Sequence, residues 1–159
     1  MKKYGLFFLT VLVIFILDQL TKHWVVCSLS LHESLPVLEG FFHLTHVRNP
    51  GAAFGFLAGM DHLFRGVFFI ATNILAMGLI LFYLVKNTSQ RSFLLILGLS
   101  MVMAGALGNL TDRLRFNEVI DFLDFFLGSW HWPAFNIADM SITTGAALIV
   151  WEILKMDVR

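Results

Sequence analysis

Polar residues are scarce along this chain and gather in blocks. Between them, four mostly apolar stretches run over positions 4–26, 63–85, 93–111 and 137–154. About twenty such residues cross the hydrocarbon core of a bilayer as a helix, so each stretch predicts a transmembrane helix. The connections differ in kind. Positions 86–92 make a short polar link, whereas 32–61 and 112–135 are long enough to hold structure of their own and fall on one side of the membrane. In the first of these, FFHLTHVRN (41–49) is rich in aromatic and β-branched residues and runs into the turn residues Asn49, Pro50 and Gly51, which predicts a short strand. The expected fold is an all-α membrane protein, a four-helix bundle carrying a small extracytoplasmic β-sheet and a structured connecting segment on that same side. The rings of GMDHLF (59–64) and SWHW (129–132) suit the headgroup boundary. In the third helix, Ala104, Gly105 and Gly108 are small enough to let a neighbouring helix approach closely.

Composition agrees with this reading. Of 159 residues 58% are hydrophobic and only 14% charged, against about a quarter charged in a soluble domain. Eleven basic and eleven acidic residues cancel, so no cationic surface points to nucleic acid. Lys2, Lys3, Lys86, Arg91, Lys155 and Arg159 flank one side, and Arg48, Arg113 and Arg115 the other. The positive-inside rule then puts both termini in the cytoplasm and the long connections outside. A basic start and apolar core give residues 2–17 the look of a cleaved signal peptide, but the run continues through Asp18, Lys22 and Trp24 with no small-x-small site. It is kept as the first helix. Cys27, the single cysteine, follows Trp24, Val25 and Val26 rather than the small residues a lipid-modified cysteine needs, and reads as apolar filler. With no repeat and no linker, residues 1–159 are expected to form one domain.

Ionisable groups at membrane depth are costly and are therefore the first candidates for function. Asp18 and Lys22 stand four apart, acid before base, near the outer end of the first helix. That order suits an ion pair, which would neutralise itself at the boundary or orient a neighbouring loop. Asn109, Asp112 and Arg113 share a face at the end of the third helix. They read either as end-capping with a surface ion pair or as a buried network. Asn136 and Asp139 fit a capping box at the start of the fourth helix. Asp121 and Asp124, three apart in VIDFLDFF, would suit the solvated face of an interfacial helix.

Taken together, these acids suggest chemistry. The third helix ends beside Asp112 and the fourth begins beside Asp139, so the segment between them returns Asp121 or Asp124 to the same membrane surface. Two carboxylates in contact share one proton, supplying a base for water and an acid for a peptide carbonyl and its leaving amine. The dipole of the fourth helix favours charge on Asp139. No nucleophile elbow marks a serine hydrolase, and His43 and His46 (HLTH) are spaced to face opposite ways on a strand, which does not suit zinc. A proton-coupled transporter subunit would place acids along the depth of the bundle, and a helix-binding assembly factor would need none. Here Asp112, Asp121 and Asp139 gather near one surface.

The ordered motifs DQLTK (18–22), VRNPGAAFG (47–55), GNLTDR (108–113), VIDF (119–122) and FNIAD (135–139) resemble those of the bacterial lipoprotein signal peptidases, or signal peptidase II, over essentially the whole chain. The resemblance implies an aspartic endopeptidase of the bacterial inner membrane, active near the periplasmic face. Such an enzyme cleaves prolipoproteins just before a diacylglyceryl-modified cysteine. Carried over by position, the catalytic aspartates are Asp121 and Asp139, leaving Asp124 outside the pair. Asn49, Gly108, Asn109, Arg113 and Asn136 fall on positions lining the site, and Asp18, Lys22 and Asp112 on supporting ones. The implied partners are the prolipoprotein, membrane lipid and globomycin-type peptide inhibitors, with no cofactor or metal and the chain working as a monomer.

Overall fold

A computed structural model of the chain describes residues 2–51, 61–86 and 92–157. Its elements are α1 (Lys2–Ser28), β1 (Ser34–Leu38), β2 (Phe42–Asn49), α2 (His62–Lys86), α3 (Phe93–Phe116), β3 (Val119–Leu127), β4 (Trp130–His131) and α4 (Ile137–Asp157). The four helices have mean hydropathies of 1.9, 2.3, 2.0 and 1.5 and are each long enough to span a bilayer. Each predicted span lies within one of them. Segments 52–55 of VRNPGAAFG, 59–60 of GMDHLF and the link 87–91 lie outside the described residues.

Similar apolarity hides different positions. In the most apolar window of α3, 61% of residues are buried inside the protein, against 11% in α1 and α2 and 17% in α4. α3 is the central helix and packs on the other three. Its small residues make this possible. A Cβ on Gly105 would overlap the carbonyl oxygen of Ala138 in α4, and Gly98 and Gly145 each lie against the other's carbonyl. Missing side chains let backbones touch, the usual basis of helix association in lipid. Ser92 caps the start of α3 by accepting from Leu94 N–H at 3.1 Å. Asn117 ends it in the left-handed conformation, its N–H donating to the Arg113 carbonyl at 2.8 Å.

One apolar cluster joins Phe7 of α1, Ile80 and Leu84 of α2, and Leu95, Ile96, Leu99 and Met103 of α3. A second, made of Val25, Leu29, Ile120 and Phe122, seats the sheet on the end of α1. The sheet is antiparallel throughout, in the order β1-β2-β3-β4. β1 is an exposed edge, which is where Pro36 is tolerated. β2 is the strand expected from FFHLTHVRN. VIDFLDFF is also strand, not interfacial helix: Val119, Ile120, Asp121 and Phe122 are all buried, and β3 pairs with β2 from Asn49↔Val119 to Phe42↔Phe125. Neighbours three apart on a strand face opposite ways, so β3 separates the two aspartates that a helix would have kept together. His43 and His46 are related differently, because β2 has a register shift between Leu44 and Val47 that breaks simple alternation; His43 packs on the Phe126 ring, and buried His46 donates Nδ1–H to the Leu29 carbonyl at 3.0 Å.

Candidate active site

β3, the end of α3, the start of α4 and the C-terminal part of α1 converge at one end of the bundle. The first turn of α4 is built by a reciprocal pair, Asp139 N–H donating to Asn136 Oδ1 (2.9 Å) and Asn136 N–H to Asp139 Oδ2 (3.3 Å). This is the capping box expected from sequence. Because the Asn136 oxygen is taken by that N–H, its amide nitrogen must point away. It donates to Asp121 Oδ1 at 2.7 Å and to the Ile120 carbonyl at 3.2 Å. A single side chain thus caps a helix and links Asp139 to Asp121.

Two further asparagines are oriented in the same way. Asn49 Oδ1 accepts Gly51 N–H (2.8 Å), and its nitrogen donates to Asp121 Oδ2 at 2.8 Å. Asn49 pairs with Val119, so it and Asp121 are diagonal neighbours on one face of the β2–β3 ladder. Gly51 has φ +93°, and a side chain there would enter the Phe69 ring. Asn109 Oδ1 accepts from Lys22 Nζ at 3.2 Å, turning its nitrogen to Asp139 Oδ1 at 2.8 Å. Each amide oxygen is committed elsewhere, so every nitrogen faces a carboxylate.

Asp121 is 1% exposed. Burial above all, and then the Asp139 charge, pushes its carboxyl up from 3.8 to about 7, while donors Asn49 and Asn136 and the Lys22 charge pull the other way. Asp139 is less buried and lines a cleft of about 540 Å³ walled by Phe69, Arg113, Trp132, Pro133 and Phe135. The Arg113 guanidinium packs over the Phe69 ring at 4.8 Å, and its Nη1 is buried without a hydrogen-bond partner among the described residues.

Behind the aspartates, Lys22 Nζ lies 2.8 Å from both Asp18 Oδ2 and Asp112 Oδ2. All three side chains are 0–1% exposed, so this is an interior network rather than a boundary pair. Gly108 admits it, since a Cβ there would stand 2.5 Å from Asp18 Oδ2. Asp124 lies outside, held by His131 Nδ1 at 2.9 Å. Gln19, Phe69 and Trp132 are not among the site residues expected from sequence, Trp132 being read only within SWHW as a ring at the headgroup boundary. Gln19, polar and adjacent to Asp18 in an apolar helix, carried a usable signal; two aromatic residues among so many carried none.

The likenesses of this chain agree with one another. A family model described as signal peptidase (SPase) II matches residues 10–155. A lipoprotein signal peptidase of Syntrophus aciditrophicus (strain SB) is 53% identical over 94% of this chain and 92% of its own length. Another, of Geobacter sulfurreducens, is 42% identical over 98% and 96%. A solved structure described as a bacterial membrane enzyme determined by the in meso method at 2.3 Å superposes with a TM-score of 0.83 at 34% identity, covering 95% of this chain and 88% of the other. Four spans and these relatives define a multi-pass membrane hydrolase of the aspartic peptidase class. The chain belongs to the signal peptidase II family.

Proposed function

We propose that this protein removes the signal peptides of prolipoproteins by cleaving just before the diacylglyceryl-modified cysteine, with Asp121 and Asp139 as its catalytic pair. The observation that carries the reading is Asn136, which ties a buried carboxyl whose pKa is raised to about 7 to a second carboxylate at the wall of an apolar cleft. With the Asp121 carboxyl raised to about 7, its protonated form is present in quantity at neutral pH. Asp139, on the cleft and at the positive end of α4, is the member placed to take a proton from water. The proton held with Asp121 polarises the scissile carbonyl and passes to the leaving amine. Arg113, whose Nη1 at the cleft has no partner among the described residues, and the amides of Asn49, Asn109 and Asn136 hold the substrate backbone and the two carboxylates. Gly108, Asp18, Lys22 and Asp112 support them from behind.

The location follows from the substrate. A signal peptide lies in the bilayer with its lipidated cysteine at the outer interface, so the site belongs on the periplasmic side of the bacterial inner membrane, with both termini cytoplasmic. Phe69, Trp132 and Phe135 suit a peptide entering laterally between helices with its acyl chains left in lipid. The same cleft is the expected seat of globomycin-type peptides. The chain works as one peptidase domain over residues 1–159, as a monomer, with water as its only co-reactant. Cleavage of a diacylglyceryl-modified prolipoprotein by the purified protein in detergent tests this. The parent and Asp124→Asn should be active and Asp121→Asn and Asp139→Asn inactive; a folded parent that cleaves nothing sinks the proposal.

A further inference from the structure

The buried cluster of α1 and α3 ends, at both of its extremes, on the peptide unit just before an aspartate of the pair. Asp18 Oδ1 accepts the N–H of Ala138 at 2.9 Å, one residue before Asp139. Asp112 Oδ2 accepts the N–H of Ile120 at 3.3 Å, one residue before Asp121. Between these two acids stands Lys22, 2.8 Å from each. Gln19 Nε2 bridges them a second time, 3.1 Å from Asp18 Oδ2 and from Asp112 Oδ1. The continuous path therefore runs from the backbone before Asp139, through Asp18, Lys22 with Gln19, and Asp112, to the backbone before Asp121.

Its physical character is that of a stiff link. Charge-assisted hydrogen bonds are shorter and stronger than neutral ones, and no water competes for side chains this deeply buried. Fold stability alone does not call for it, because well-packed apolar residues in place of a buried ion cluster are often neutral or stabilising. Reaction geometry does call for it. A displacement of about 1 Å at a catalytic group can lower a rate about 100-fold.

We propose that Asp18, Gln19, Lys22 and Asp112 form a brace that fixes the separation of the peptide units bearing Asp121 and Asp139, and with it the geometry in which the two carboxylates share a proton. This rests on the catalytic pair proposed above. The four are positioning residues, acting through the backbone and through Asn109, whose oxygen Lys22 holds, while the Lys22 charge also reaches Asp121.

The test is the apolar replacement Asp18→Leu/Lys22→Met/Asp112→Leu, assayed for kcat and KM on a diacylglyceryl-modified prolipoprotein and for thermal unfolding in the same detergent. The brace predicts a folded protein that melts below the parent, because the N–H groups of Ala138 and Ile120 lose their acceptors, with KM near the parent's and kcat lowered by about 100-fold. Turnover at the parent's rate, or loss of kcat in step with KM, overturns it. Asp121→Asn and Asp139→Asn are assayed alongside. If these stay active, the catalytic pair is wrong and the brace falls with it; if they are dead while the triple variant works, the brace alone falls. Should the triple variant not fold, Asp112→Ala and Asp112→Asn decide: kcat lost in the alanine and largely kept in the asparagine, which retains an acceptor for Ile120 N–H, supports the brace, and equal kcat in both overturns it.

Discussion

Asp121 and Asp124 share a strand, a charge and apolar neighbours, and stand three residues apart. Asp121 is 1% exposed, faces α3 and α4, and takes amide N–H groups on both of its oxygens. The Asp124 side chain keeps 13% of its surface in solvent and pairs with His131, itself half exposed. What separates them is the alternation of a strand, which sends an odd spacing to opposite faces. One acid is thereby placed in a low-dielectric interior where a proton is held tightly. The other is partly solvated and paired with His131.

The sharpest way to break this contrast is to neutralise each acid in turn. Asp121→Asn and Asp139→Asn are expected to lower cleavage by about 10⁴-fold or more, as removal of a catalytic group does elsewhere, measured as the initial rate on prolipoprotein. Asp121→Asn also has a pH signature in stability. The parent's carboxyl titrates at about 7 folded against 3.8 ordinarily, so the stability contributed by its protonated form is complete below 3.8 and lost as pH rises to about 7. Melting temperatures of parent and variant should therefore diverge in the variant's favour across that window and stay parallel above it.

Asn49→Ala sharpens the comparison by removing one of the two amide donors to Asp121, along with the acceptor of Gly51 N–H. Its N–H favours the ionised form, so removal raises the titration, and the alkaline limb of the rate profile should move to higher pH. An unmoved limb would disconnect Asp121 from the rate. A smaller effect is expected where packing rather than charge makes the interior. Gly105→Ala forces a methyl into the Ala138 carbonyl and should cost about 1–3 kcal/mol, read as a lower melting temperature. Gly78→Ala, with nothing within 4 Å, should change stability by less than ~1 kcal/mol. The least effect belongs to Asp124→Asn, since an exposed pair is worth about 0–1 kcal/mol. Loss of activity there would erase the distinction between the two aspartates.

How much of this could be read in the chain depends on the range of the interaction. The spans were legible because lipid imposes length and apolarity residue by residue, and β2 because aromatic and β-branched residues cluster there. The Asn136–Asp139 cap was legible because its partners are three apart. β3 was not, since acids spaced by three imitate a helical face and only the ladder to β2 settles the period. Nor was the central place of α3, whose hydropathy of 2.0 falls below the 2.3 of lipid-facing α2. The depth of Lys22 was likewise hidden: its partner Asp18 is local, but Asp112 and Asn109 reach it only when α1 packs on α3.

Asn136 has a consequence for motion. Because the same amide that starts α4 also holds Asp121, unwinding the first turn of that helix and dismantling the paired carboxylates are a single event. Amide hydrogen exchange at Asp139, whose N–H is bound to the Asn136 oxygen, would then count how often the proposed catalytic pair comes apart. The rate of that local opening sets an upper limit on how long a docked substrate meets an intact pair.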